Sequence, residues 1–306
     1  MNSASNLPDV ASTLATAIPL DQVGMSGIAL PVTLALADGE VVCAASAAIY
    51  ANVSNGQKGL HMSRMYSTLL GLSDAPLSRS SLQQCAQQAL AQQQEVNASS
   101  LQFSLSTTVQ QKRSALNSQG WGWNAYPLTL QASYSEAAGF ALSLTVQVTY
   151  SSSCPASAAL SRKALKDAFL AHSQSQSEPM SHEQVALWLE QQGTLAIPHS
   201  QRSVATVTVA IEQAELPISE LIELCEAALG TPVQTYVKRD DEQQFALRNG
   251  ANPMFVEDAS RRLVRALVQQ GYQGHLKVEH QESLHGHDAV AQTHFSAAEF
   301  DREAMK

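Results

Sequence analysis

The chain has 306 residues, with 18 Lys and Arg against 27 Asp and Glu, and a formal net charge of −9 at pH 7. That balance excludes general electrostatic binding to nucleic acid or an anionic membrane, so an anionic ligand has to be held by a local basic cluster. The length allows two ordinary domains or one unit of two similar halves, and 44% hydrophobic residues supply a sizeable core.

Residues 1–20 are polar and Ala/Ser-rich, with no basic n-region ahead of an apolar core, and the best apolar run, 28–37, is short and carries Pro31. Cys43, Cys85, Cys154 and Cys225 are widely spaced with no C-x-x-C pair, which fits a reducing compartment. A cytoplasmic protein without a membrane partner is expected. Two strand-like stretches flank the turn Asp38-Gly39. The segment KGLHMSRMYSTL opens a helix, and a second is predicted over 81–93 with Leu82, Cys85, Ala89 and Leu90 as its apolar stripe.

Alternation at Leu101, Phe103, Leu105 and Val109, again at Leu128, Leu130 and Ala132, and at Leu142, Leu144, Val146, Val148 and Tyr150 predicts half-buried strands of an antiparallel sheet. The chain turns helical after Pro155, and 173–179 is a polar linker. Ser181 with Gln184 forms a capping box for a helix through Gln192. A strand is expected over 204–211, then a helix over 219–229 that Gly230 stops.

The stretch 236–262 concentrates charge around a Gly/Asn/Pro hinge. Asn252 is predicted to cap a helix that starts at Pro253, with Glu257 and Asp258 in its first turn and Gly271 at its end. A last strand is expected over 276–282. The second half repeats the order of elements of the first without any residue-level repeat.

Three groups of residues could carry chemistry. Cys154 at a strand end, His199 in the loop after Pro198 and Glu242 in an acidic turn are ligand types that zinc, iron or manganese accept. A lone cysteine is more commonly a small buried hydrophobe, and a lone histidine a hydrogen-bonded or surface residue. In HQESLHGHDA, His285 and His287 would share one face of a strand and Glu282 the other unless the chain bends at Gly286, a set suited to proton transfer or to a solvated strand end. Lys58, Arg64, Arg202, Lys238 and Arg239 border these motifs and could take phosphate oxygens. No glycine-rich phosphate loop is present, so a nucleotide would need another cradle.

Taken in order, LPDV at 7–10, VG at 23–24, KGLHMSR at 58–64, SCP at 153–155, PHSQRS from Pro198, VKRDDEQ from Val237, RNGANPMFVED from Arg248 and ESLHGHDA from Glu282 resemble the type IB GTP cyclohydrolase family. The resemblance spans nearly the whole chain. It implies an α+β tunnelling fold (T-fold) of two tandem ββααββ-like units with antiparallel sheets that assemble into barrels, as a homotetramer. The units are expected at 21–155 and 199–306, after a loosely held segment 1–20 and around a helical excursion 156–198. It also implies hydrolysis of GTP to 7,8-dihydroneopterin triphosphate and formate, the entry step to folate, with zinc, manganese or iron.

Residue by residue, the resemblance implies Cys154, His199 and Glu242 as metal ligands that leave a position for water. Glu257 matches the purine-anchoring carboxylate, Glu282 and His285 the proton-transfer pair, and His287 a further member. Lys58, His61, Arg64, Arg202, Lys238 and Arg239 are the implied substrate-binding set. One departure stands out: where the family has Cys-Pro-Cys, this chain has Cys154-Pro155-Ala156, and turnover is expected to suffer if that second thiol takes part. A non-catalytic purine- or pterin-binding protein of the same fold is the alternative, and nitrile reduction with a nicotinamide cofactor a third reading.

Overall fold

The computed structural model describes residues 18–54 and 59–297. Eight strands and seven α-helices are found among them. They follow in the order β1 (Leu20–Leu36), β2 (Gly39–Val53), α1 (Met62–Leu70), α2 (Arg79–Ala91), β3 (Ser100–Ser114), β4 (Trp121–Ser135), β5 (Gly139–Ser153), α3 (Pro155–Gln174) and α4 (His182–Gln192). After these come β6 (Ser200–Ala210), α5 (Ile218–Leu229), α6 (Arg239–Ala251), α7 (Val256–Gln269), β7 (Gly274–His280) and β8 (Ala289–Phe295). The strands form one sheet in sequence order from β1 to β8. The element order is therefore ββααββ, then ββαααββ with α3 and α4 inserted between its first two strands, which matches the T-fold expectation.

Contacts divide the described residues into two compact units. One takes those within Met1–Gln110, Ala125–Val146 and Thr208–Leu221; the other takes those within Gln111–Asn124, Gln147–Val207 and Ile222–Lys306.

In the first unit, β1 and β2 form a long antiparallel ribbon that closes at Leu36 and Gly39, with register shifts between Leu20 and Val23 and between Met25 and Ile28. Gly24 lies within this ribbon because nothing larger fits: a Cβ there would fall 1.9 Å from the Ile49 carbonyl oxygen. The period-two pattern buries Cys43, Ala45, Ala47, Ile49 and Ala51 of β2 and Leu101, Phe103 and Leu105 of β3 on one face. Against this unit's core, α1 buries Met65 and Leu69, and α2 buries Leu82, Cys85, Ala86, Ala89 and Leu90. Each fully buried leucine here contributes about 2 kcal/mol. The helix α2 starts two residues before the expected boundary, because the Ser78 side chain accepts from the Ser81 amide at 3.1 Å and caps it.

In the second unit, Gly230 ends α5 at φ +79, as expected of a C-terminal glycine. The capping box of Ser181 and Gln184 opens α4 as the sequence suggests. Two expectations change. The hinge 248–252 is not a turn but the last turn of α6, and Asn252 terminates that helix, with its Nδ2 donating to the Leu229 carbonyl at 2.8 Å. Helix α7 begins three residues after Pro253, at Val256, where Asp258 Oδ2 accepts from the Phe255 amide at 3.0 Å. Its buried stripe is Val256, Ala259, Ser260, Leu263 and Leu267.

The acidic run that opens α6 also has an architectural member. Asp241 is 1% exposed and accepts hydrogen bonds from the Asn117 and Ser118 amides, the Ser118 hydroxyl and the Lys238 amide. These donors, the Ser118 hydroxyl first, hold its carboxyl well below the usual carboxylate range. One carboxylate thus starts α6 and ties down the segment before β4. No helix among the described residues is long and apolar enough to cross a membrane.

Candidate active site

In the second unit, the alternation that builds the core runs on into polar residues. The buried face of β5 passes from Val148 to Tyr150 and Ser152, that of β6 from Ala205 to Ser203 and Gln201, and that of β7 from Val278 to His280. All five polar residues are at most 8% exposed. Buried polar groups need partners. Tyr150 Oη lies 2.8 Å from His280 Nε2, Ser152 Oγ lies 2.8 Å from Ser203 Oγ, and Gln201 Nε2 donates to Ser152 Oγ at 3.0 Å.

Cys154 and His199 stand at this polar end. The Cys154 amide donates to the His199 carbonyl at 3.2 Å, and the His199 amide donates to Ser157 Oγ at 3.3 Å. Cys154 is also the N-cap of α3, its Sγ accepting from the Ser157 amide at 3.5 Å. Pro155 at the first helical position explains the abrupt start. His199 Nδ1 lies 3.0 Å from Gln201 Oε1 and 3.5 Å from Glu282 Oε2, and both the His199 and Glu282 side chains are largely buried. Glu282 Oε2 has no hydrogen-bond partner and no solvent.

Glu242 is not brought to this pair. It is exposed in the first turn of α6, and among the described residues no group of three or more His, Cys, Asp or Glu is arranged to hold a metal ion. Its own helix does reach the pair. Asn249, seven residues on, donates to Ser153 Oγ at 2.9 Å and to Ser200 Oγ at 3.3 Å, next to Cys154 and His199. Seven residues are two helical turns, about 10 Å along the axis. The donors Cys154 and His199 fit a borderline-soft cation, since His199 Nε2 makes no hydrogen bond among the described residues. The full triad is not assembled.

The remaining expected residues are placed as follows. Glu257 is exposed at the second position of α7, and its charge acts on His280. Arg202, Lys238 and Arg239 are exposed, and the Arg202 carbonyl accepts from the Gln281 amide at 3.0 Å. His285 and His287 lie not in a strand but in the loop between β7 and β8, exposed, with rings stacked at 5.2 Å. In the first unit, His61 Nε2 is 2.8 Å and Arg64 Nη1 3.4 Å from the Glu95 carboxylate, and the two hold Glu95 below its ordinary range, His61 first. Lys58 lies outside the described residues. A surface cleft of about 500 Å³ in the second unit contains the Arg113–Glu226 ion pair and Arg248, and none of the expected site residues lines it.

Sequence reasoning assigned no role to Ser152 and His280, to Gln201 and Ser203 inside the PHSQRS motif, or to Asn249 within the charged stretch. The available signal was period two continuing through polar residues at three strand ends. Among these, His280 has a consequence for stability. Burial pushes its pKa from 6.5 down to about 4, with Glu257 acting in the opposite sense. The neutral ring suits the fold, so this contribution is complete above the unfolded value of about 6.5 and is lost as the pH falls toward 4. The loss amounts to about 3 kcal/mol. Urea midpoints measured from neutral pH to pH 4 should fall accordingly, and His280→Gln should flatten that dependence; an equally steep fall in the variant contradicts the assignment.

Comparison with known proteins follows the same lines. The model of a family described as type I GTP cyclohydrolase folE2 matches residues 7–291. A GTP cyclohydrolase FolE2 of Serratia proteamaculans is 46% identical over 286 residues, covering 92% of this chain and 91% of that protein. One of Xanthomonas oryzae pv. oryzae is 44% identical over 297 residues, covering 95% and 96%. Among solved structures, a uricase from Bacillus fastidious superposes with a TM-score of 0.50 at 8% identity over 93% of this chain and 95% of that one, a likeness of fold alone.

Fold and site together define a T-fold protein in which the backbones of Cys154 and His199 are bonded at the polar end of its sheet. The chain belongs to the type I GTP cyclohydrolase folE2 family.

Proposed function

We propose that the protein is a GTP cyclohydrolase that converts GTP to 7,8-dihydroneopterin triphosphate and formate, with Cys154, His199 and Glu242 holding zinc, manganese or iron. The observation that carries this reading is the pairing of Cys154 with His199, through the 3.2 Å backbone bond, in a chain of this family. When bound, the metal supplies Lewis acidity and lowers the pKa of a water toward neutrality.

The protein's own groups do the rest. Glu257 accepts from N1–H and the 2-amino group of guanine, which two carboxylate oxygens match. Glu282 and His285, with His287 beside them, deliver the proton that the departing imidazole-ring nitrogen needs. Lys58, His61, Arg64, Arg202, Lys238 and Arg239 form the set from which the triphosphate is held. The non-catalytic purine-binding reading is not favoured, because the family is named for the reaction.

Ala156 is exposed at the second position of α3, where a thiol can be accommodated. Metal-loaded protein incubated with GTP and then oxidised should yield fluorescent neopterin, and Ala156→Cys should yield at least as much. Absence of product from both forms refutes the proposal. A cytoplasmic homotetramer is part of the same proposal: Trp121, 47% exposed, and Trp123, 53% exposed, are apolar surface that association would cover. Light scattering that gives only monomer sinks that part.

A further inference from the structure

The polar end of the second unit contains a hydrogen-bonded chain whose direction can be worked out from its members. His199 Nδ1 meets Gln201 Oε1 at 3.0 Å, and Gln201 Nε2 meets Ser152 Oγ at 3.0 Å. Ser152 Oγ meets Ser203 Oγ at 2.8 Å. An amide nitrogen only donates and an amide oxygen only accepts. With the Gln201 nitrogen on Ser152, the Ser152 proton points to Ser203.

Reversing every bond would satisfy the hydroxyls equally well, so the His199 end decides. There, Glu282 Oε2 stands 3.5 Å from His199 Nδ1 without another partner. Two acceptor oxygens facing Nδ1 require a proton there; the reversed chain would set the Glu282 carboxylate against a nitrogen lone pair.

We propose that Gln201 is a positioning residue that fixes His199 as the Nδ1–H tautomer and leaves its Nε2 lone pair free, while Ser152 and Ser203 hold the Gln201 amide in the orientation this requires. The chain passes orientation, not protons, because an amide link gives up its N–H only by leaving its stable form. The consequence for metal binding rests on the proposed role of His199 as a donor. The tautomer itself does not.

The test is solid-state 15N spectra of the full chain labelled at histidine, with His199 assigned by its disappearance in His199→Gln. The wild type should show Nδ1 protonated and Nε2 bare, and Gln201→Leu should lose that pattern. Gln201→Glu, which retains an acceptor against Nδ1, should restore it. In parallel, zinc affinity measured by competition with a chromophoric chelator should fall about 10- to 100-fold in Gln201→Leu. A wild-type spectrum with Nε2 protonated overturns the proposal. So does a Gln201→Leu spectrum equal to the wild type. If Gln201→Leu does not fold, the wild-type and Gln201→Glu spectra still decide. Zinc affinity unchanged in His199→Gln rejects the metal reading instead, and leaves the tautomer to be judged from the spectra.

Discussion

Cys154→Ser is expected to lower neopterin formation about 10³-fold, equivalent to about 4 kcal/mol of transition-state stabilisation, with little change in thermal stability. The substitution separates two roles of one residue. As the N-cap of α3, Cys154 accepts from the Ser157 amide, and serine performs that task at least as well. The backbone bond from its amide to the His199 carbonyl does not depend on the side chain. What serine cannot supply is a thiolate ligand, because a hydroxyl stays protonated and binds zinc weakly. His199→Ala should fall by a similar factor. Both are measured as initial rates of fluorescent product at saturating metal, beside melting curves. If Cys154→Ser keeps activity within threefold of the wild type, Cys154 is structural and the metal assignment is wrong.

What the sequence made visible follows from where local chemistry dominates. The Ser181–Gln184 box and the Gly230 stop are short-range devices found where expected, and the turn expected at Asp38-Gly39 falls one residue earlier, at Ala37-Asp38. Strands with one buried face were legible for the same reason, since β2, β3 and β5 alternate over most of their length. Helix α6 was not, because its only buried residue is Asp241; its stability comes from capping and a buried carboxylate rather than an apolar stripe. That also displaced Asn252, a good capping residue that ends one helix instead of starting the next. Strand β8 was missed because only Phe295 is buried on it, and pairing with β7 supplies what its own pattern lacks. At the site, Cys154 and His199 were marked by ordered motifs, whereas Gln201, Ser152, Ser203 and His280 are separated by up to 128 residues, from Ser152 to His280, and meet only through sheet pairing. Glu242 has the right chemistry on the helix that touches the pair, but two turns from the point of contact.

Glu257 permits a sharper test of the substrate reading. On α7 it is the second residue and exposed, and the helix start does not depend on it, because Asp258 already accepts the Phe255 amide at 3.0 Å. Its neighbour in charge is the buried His280, not a capping donor. A carboxylate left so unencumbered can accept both N1–H and the 2-amino group of guanine. Glu257→Gln retains one acceptor and sets a donor against the other guanine N–H, so it loses one charge-assisted bond and leaves a donor facing a donor. About 3–4 kcal/mol is at stake, a 10²- to 10³-fold fall in kcat/KM for GTP. Inosine triphosphate, which lacks the 2-amino group, makes the prediction specific. The wild type should prefer GTP over it by a wide margin, and Glu257→Gln should reduce that margin to a few fold while the melting temperature stays near that of the wild type. A variant that loses activity yet keeps the full preference for GTP would show that some other group reads the purine edge, and the carboxylate would then serve His280 and the polar end of the sheet instead.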